Sequence, residues 1–283
     1  MKKILFTLGS FALLTSCSLS VESKPSPIQP APTKQITIDT KPTLPTEAQE
    51  IKLYQGSKPK EWGEKVTGVI QKLPTEEKVI ALTFDACGGE HGNGYDEAII
   101  QYLTEQQIPA TLFINSRWID ANPTAFQELA SNPLFEIENH GTEHRPLSVN
   151  GRSIYGINGT KNIADAYAEV YGNHQKIKKL TGKVPKFFRS GTAYYDEVAV
   201  KIAEDLGEIP VNFDIIGDAG ATYNAFQVDQ SMQRAKAGSI VILHMNQPNS
   251  GTAEGIQKAI PRLKKKGYRF VKLEKYLSNT NKR

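Results

Sequence analysis

Apolar runs and amphipathic stretches alternate along the chain from about residue 78 onward. The run over 78–84 reads as a buried strand, and 110–115, 134–139, 186–189, 210–214, 239–244 and 268–272 read as further strands. Between them, apolar residues spaced three and four apart predict helices over 95–107, 123–130, 162–180, 196–206, 225–236 and 252–266. The punctuation agrees, since Asn122 and Pro123 open one helix and Gly182, Gly207, Gly238 and Gly267 stop four others. Strands without polar alternation, each followed by a helix, predict a parallel sheet covered by helices. The expected fold class is α/β, a sheet of about seven parallel strands closed or nearly closed into a (β/α) barrel, in one domain. Residues 51–77 are a lead-in segment, with a helix predicted over 61–73 that closes one end of the barrel.

The first residues follow a different pattern. Lys2 and Lys3 precede an apolar run from Ile4 to Leu14, too short to span a bilayer and suited to the core of a secretory signal. The run ends in Leu14-Thr15-Ser16-Cys17, which resembles the bacterial lipobox. Residues 1–16 are therefore expected to be a lipoprotein signal peptide, and Cys17 the lipid-bearing N-terminus. Ser18 gives no inner-membrane retention signal of the aspartate type. The expected address is an exported, membrane-anchored state, on the outer membrane facing the periplasm if the host has two membranes. Residues 17–50, rich in Pro, Ser, Thr and Lys, read as a disordered tether.

The net charge of +4 includes Lys2 and Lys3. Without them, 32 basic residues face 30 acidic ones, a balance that excludes an electrostatic nucleic-acid binder. Lys264, Lys265 and Lys266 follow Ile260 and Leu263 on a predicted helix and read as its solvated face. Of the two cysteines, a lipidated Cys17 leaves Cys87 alone, so no intrachain disulfide is available. Cys87 is expected to pack or to shape a turn, since nothing else in the sequence asks for a nucleophilic thiol.

Candidate chemistry collects at the strand ends. Asp85, Asn115, His140, Arg189, Asp214 and His244 each end a predicted strand, and in a barrel such ends share the rim that carries active sites. His140 and His144, four residues apart, can face one point across a helical turn, an arrangement suited to a zinc-like cation.

The ordered set Thr83-Phe84-Asp85, His140-x3-His144, Arg189, Asp214 to Asp218 and Leu243-His244 resembles the polysaccharide deacetylase family, the carbohydrate esterases with a NodB-like domain. That resemblance covers 78–277 and implies an incomplete or distorted (β/α) barrel and metal-dependent removal of N-acetyl, or O-acetyl, groups from an envelope or extracellular polysaccharide. It also implies roles: His140 and His144 as metal ligands, Asp85 as the base, Arg189 as its orienter, and His244 as the acid. Asp218, or alternatively Asp214, would hold His244 protonated. The implied cofactor is a divalent metal, zinc first and cobalt or nickel as alternatives, and the implied partner is a polysaccharide of N-acetylated sugars. A monomer is expected.

The sequence departs from the family pattern in places. Where the family carries a second aspartate as metal ligand, this chain has Ala86. Asp85 is then expected to serve the metal as well as the proton, with Glu90, His91 or Asp96, or the histidine pair and water alone, as alternatives. Gly141 stands where Ser or Thr usually follows the first histidine, and 189–195 reads Arg-Ser-Gly-Thr-Ala-Tyr-Tyr rather than Arg-Pro-Pro-Tyr. Other readings are an inactive glycan-binding relative, or a metal-dependent amidase acting on another substrate.

Overall fold

A computed structural model describes residues 43–278. The signal segment 1–16, Cys17 and most of the expected tether lie outside these residues. Strand β1 (Val79–Ala86) is buried along its whole length, as a parallel strand covered on both faces must be. It pairs in parallel with β7 (Ser239–His244) on one edge and with β2 (Ala110–Ile114) on the other, while its first residues pair with β8 (Arg269–Val271). Outward from β2 lie β3 (Phe135–Asn139), β4 (Phe187–Phe188) and β5 (Ile209–Pro210), and β6 (Ile215–Ile216) flanks β7. All these pairings are parallel, and the result is the expected incomplete barrel. The strand predicted over 210–214 is corrected to two short ones, β5 and β6, at opposite ends of the sheet.

The two faces of β1 meet different layers. Ile80, Leu82, Phe84 and Ala86 pack with the outer helices, against Ile99 and Leu103 of α2 (Glu97–Glu105) and Ile256 and Ile260 of α8 (Thr252–Lys265). Val79 and Ala81 belong instead to the barrel interior, with Phe113, Phe187, Ile240 and Ile242. Alternation along a strand therefore assigns Asp85 to the interior face and Ala86 to the helix layer.

Most predicted helices form within two residues of expectation: α4 (Pro123–Ser131), α5 (Ile163–Thr181), α6 (Glu197–Asp205) and α8. Gly182 ends α5 with φ +72°, the left-handed cap. The helix α7 (Ala225–Met232) stops earlier than predicted, and α3 (Ser116–Ala121) and α9 (Glu274–Leu277) were not foreseen.

Two boundaries move. The tether was expected to run to Glu50, yet α1 (Glu47–Tyr54) opens with a capping box between Thr46 and Gln49, and Glu50 is buried. Tyr167 Oη donates to the Pro45 carbonyl at 3.1 Å, and Tyr54 Oη donates to Asp205 at 2.6 Å, which fastens this helix to the domain. The helix predicted over 61–73 is absent. Gly68, at φ +93°, interrupts it in a backbone region closed to a right-handed helix. After a turn closed by Val69 N–H to Val66 O, the segment is extended: Ile70 N–H donates to Pro210 O, Asn212 N–H donates to Ile70 O, and Leu73 N–H donates to Gly238 O. It spans the opening between β5 and β7 where direct strand pairing stops.

Candidate active site

Register assembles the rim. Asp85 on β1 lies directly beside His244 on β7, and Asn139 on β3 beside Phe188 on β4. The next residues, His140 and Arg189, are thereby neighbours, and His140 Nδ1 lies 2.8 Å from the Arg189 carbonyl. A carbonyl only accepts, so Nδ1 carries the proton and Nε2 keeps its lone pair.

Arg189 is fully buried beneath the rim. Its guanidinium donates to Asp85 Oδ1 at 2.7 Å, to Thr83 Oγ1 and to the carbonyls of Val211 and Asn212 at 3.0 Å each. It lies 4.2 Å from the centre of the Phe113 ring. Burial would raise the Asp85 pKa, but Arg189, with His140 and His244, outweighs it and holds the carboxyl below its usual range.

The histidine loop is built by its neighbours rather than by a helical turn. Asn115 caps α3 and donates from Nδ2 to the carbonyls of His140 and Gly141 at 2.8 and 2.7 Å. Buried Glu169 of α5 accepts the N–H groups of Glu143 and Arg145. Gly141 has φ +78°, and a Cβ there would lie 2.3 Å from Glu169 Oε1, which accounts for glycine after the first histidine. His144 itself sits at φ +60°, a conformation that turns its ring back to within 4.9 Å of the His140 ring. Gly191 answers the other departure, because a Cβ there would meet the His144 carbonyl group at 2.3 Å. Glu169, placed on a helix 25 residues beyond His144, carried no signal in the sequence.

Cys87 joins this pair. One donor atom each from Cys87, His140 and His144 lies within 4.8 Å of the others, with Cys87 Sγ 3.8 Å from His140 Nε2. His144 Nε2 is buried and has no hydrogen-bond partner, an arrangement costly for an imidazole unless something else satisfies it. The donor set and the orphaned nitrogen fit a divalent ion. Burial works to raise the Cys87 thiol, but the neighbouring imidazoles, His144 first and then His140 and His244, draw it well below its ordinary range. Glu90 and His91 are exposed, and Asp96 is the N-cap of α2. Asp85 Oδ2 is 3.6 Å from His140 Nε2 while Oδ1 is held by Arg189.

Across the rim, His244 Nδ1 lies 2.8 Å from Asp218 Oδ1, and Asp218 Oδ2 accepts the His244 N–H and the Thr252 hydroxyl. Burial opposes protonation of His244, but Asp218 overrides it and raises the imidazole well above its usual pKa. Asp214 is occupied elsewhere, accepting from Ser239 Oγ and Ile240 N–H at 2.8 Å each. The alternative of Asp214 as the partner of His244 is therefore set aside.

A cleft of about 420 Å³ opens beside Asp85 and His244, walled by Tyr155, Thr192, Phe213 and Ile216. In the 191–195 turn, the N–H groups of Gly191, Ala193 and Tyr195 donate to the carbonyls of Arg145, Ser190 and Gly63, which leaves Thr192 and Tyr194 as the candidate donors to a ligand. Tyr195 is buried and its hydroxyl accepts from Ser190 N–H at 2.9 Å, whereas the Tyr194 ring lies 5.7 Å from both Trp62 and Tyr155. Trp118 and Tyr223 pack in the core with the helices. Tyr155, largely exposed on the 149–160 loop, escaped the sequence reading because no periodicity marks a loop aromatic.

The polysaccharide deacetylase family model matches residues 72–209, and that of the prokaryotic membrane lipoprotein lipid attachment site matches 1–18. The chain is 24% identical to the peptidoglycan-N-acetylmuramic acid deacetylase of Bacillus subtilis, over 76% of this chain and 80% of that protein. It is 27% identical to the peptidoglycan-N-acetylglucosamine deacetylase of Bacillus cereus, over 74% and 92%. Among solved structures it superposes with a TM-score of 0.61 on a CE4 family pseudoenzyme from Bacillus anthracis, at 21% identity over 76% of this chain and 69% of that one. With the ordered motifs converging on one rim of the shared fold, the chain belongs to the polysaccharide deacetylase family.

Proposed function

We propose that this protein is an exported, lipid-anchored deacetylase that uses a divalent metal, zinc in the first instance, to hydrolyse N-acetyl groups of an envelope polysaccharide. The observation that carries the reading is the pairing of two oppositely tuned groups on adjacent strands. Asp85, held ionised by Arg189, and His244, held protonated by Asp218, lie side by side in register at the edge of one cleft. A protein that only bound glycan would have no physical use for both.

His140 and His144 would hold the ion, which when bound supplies Lewis acidity to the acetyl carbonyl and acidifies water. Asp85 accepts the proton of the attacking water as oxygen adds to the carbonyl carbon. Arg189 keeps that carboxylate oriented and ionised. The Thr192 and Tyr194 N–H groups, which no backbone carbonyl of the turn takes up, would donate to the developing oxyanion. His244 delivers its proton to the nitrogen as the carbon–nitrogen bond breaks, leaving a free amine and acetate. Tyr155 and Tyr194 offer faces on which a sugar ring can stack.

The relatives named above act on peptidoglycan, and export places this protein beside such a glycan, so peptidoglycan is the first substrate to test. Acetate and free amine should appear from N-acetylglucosamine oligomers and from peptidoglycan. Chelation should stop their release and added zinc restore it. A second reading, binding without turnover, draws on Ala86 and on the pseudoenzyme among the structural neighbours. Stoichiometric metal and tight glycan binding with no acetate released would favour it.

The anchor is proposed to be a lipid on Cys17, with Ser18 directing the protein to the outer membrane of a two-membrane host. Cys17→Ser should move the protein from the membrane fraction to the soluble one. An unchanged distribution would remove the lipid from the account.

A further inference from the structure

We infer that Cys87 is the third protein ligand of the metal centre, taking the place of the family's second aspartate from one position further along the chain. The inference rests on the metal-dependent reading above and adds to it the identity of the donor set.

Strand β1 sends successive side chains to opposite faces. Position 86 turns its side chain into the helix layer, where Ala86 is wholly buried among apolar residues. A carboxylate there would be directed into that layer, whereas the interior face that carries Asp85 is met again at position 87. The turn that follows fixes the thiol in place. Gly88 N–H donates to Gly92 O at 3.0 Å, Gly92 N–H donates to Gly89 O at 3.0 Å, and Trp118 Nε1 donates to Gly94 O at 2.8 Å. Gly88 adopts φ +70° with the Trp118 backbone nitrogen 2.5 Å from where a Cβ would stand, so the loop passes flush against α3. The loop's path is thus fixed by its own hydrogen bonds and by contact with α3, so recruiting Cys87 needs little further loss of chain entropy.

His140 presents a lone pair on Nε2 towards Cys87 Sγ, because its Nδ1 proton is spent on the Arg189 carbonyl. His144 presents a buried Nε2 with no other partner. Two imidazoles and one sulfur, drawn together within 4.8 Å, form a three-ligand set that leaves a position open for substrate or water, as catalytic zinc sites require. On binding, the thiol loses its proton to solvent and a sulfur–metal bond forms. A soft sulfur favours zinc or cobalt over magnesium, calcium or manganese. It also leaves Asp85, already committed through Oδ1 to Arg189, for proton transfer alone.

The test uses the full chain carrying Cys17→Ser, in which Cys87 is the one remaining cysteine, and cobalt(II) as the probe. Bound cobalt should reach about one ion per chain, as a three-ligand site implies, and give a sulfur-to-cobalt charge-transfer band in the near ultraviolet. Cys87→Ser should lose the band and weaken cobalt binding by more than the ~10- to 100-fold typical of changes behind the ligands. Cys87→Asp should bind cobalt without the band, and Asp85→Asn should keep both ion and band while turnover falls. Stoichiometric cobalt with no band in the parent chain would overturn the thiolate ligand while leaving a metal-dependent enzyme. A folded Asp85→Asn chain that lost its cobalt would hand the third position to Asp85 and equally overturn it. Failure of the parent chain to bind cobalt at all would overturn both this inference and the metal-dependent reading.

Discussion

Replacing His244 with glutamine is expected to preserve the fold and the metal content and to slow deacetylation of an N-acetylglucosamine oligomer by about 10²- to 10⁴-fold, the usual contribution of a general acid. His244 ends an apolar strand whose residues from Ser239 to Leu243 are buried, so the scaffold beneath it does not depend on the ring. An amine is a poor leaving group until it is protonated, which makes the amide sensitive to the loss. An aryl acetate, whose leaving group needs no proton, should lose much less. Equal losses on both substrates, measured as kcat/KM, would make His244 a ligand or a packing residue rather than the acid.

The pairing with Asp218 gives the same prediction a pH signature. Asp218 raises the His244 pKa well above the ordinary histidine value, so the acid stays charged to correspondingly higher pH and activity falls only as pH climbs through the raised value. Asp218→Asn removes that support, and the alkaline limb of the rate profile should move to lower pH. The sign for stability is the same. A raised folded-state pKa contributes stability that is complete below the unfolded histidine value and is lost as pH rises through the folded one.

The second large effect is expected at Arg189. Its guanidinium is wholly buried and its four hydrogen bonds go to Asp85, Thr83 and two backbone carbonyls. Arg189→Met keeps much of the volume against Phe113 but strands a buried carboxylate. Removing one partner of a buried ion pair costs about 3–5 kcal/mol, because the remaining charge stays buried and loses its closest counterion. The urea midpoint should fall accordingly, and the Asp85 carboxyl should lose its depressed pKa, so that any surviving activity declines on the acid side at a higher pH than in the parent. The double variant Arg189→Met with Asp85→Leu should recover part of the stability and none of the activity. A double variant no more stable than Arg189→Met alone would show that packing, not the stranded charge, sets the cost.

The sequence by itself determined what depends on neighbours along the chain. A strand buried on both faces must be apolar throughout, and a helix covering it must repeat near 3.6 residues, so the alternation of elements and the parallel sheet were visible in the pattern. The polar residues that interrupt those patterns at strand ends, Asp85, His140, Arg189 and His244, were visible for the same reason. So was the segment ending at Cys17, which resembles a site that processing enzymes read as local sequence.

Tertiary structure alone decided what depends on partners distant in sequence. Residues 61–73 carry apolar spacing compatible with a helix, but 70–73 run extended, because their N–H and C=O groups complete the open stretch of the barrel beside Pro210 and Gly238. Asp214 and Asp218 stand four residues apart and are chemically alike. The turn after β6 brings one to the His244 ring, while the other is fixed on the N–H of Ile240 at the far end of β7. Cys87 looked like an isolated thiol until the left-handed turn at His144, held by Glu169 from α5, brought the second imidazole back to it. Hydrophobic periodicity records only which face of an element is buried. It carries no information about which polar group from another element will stand opposite, since that is fixed by register and loop path.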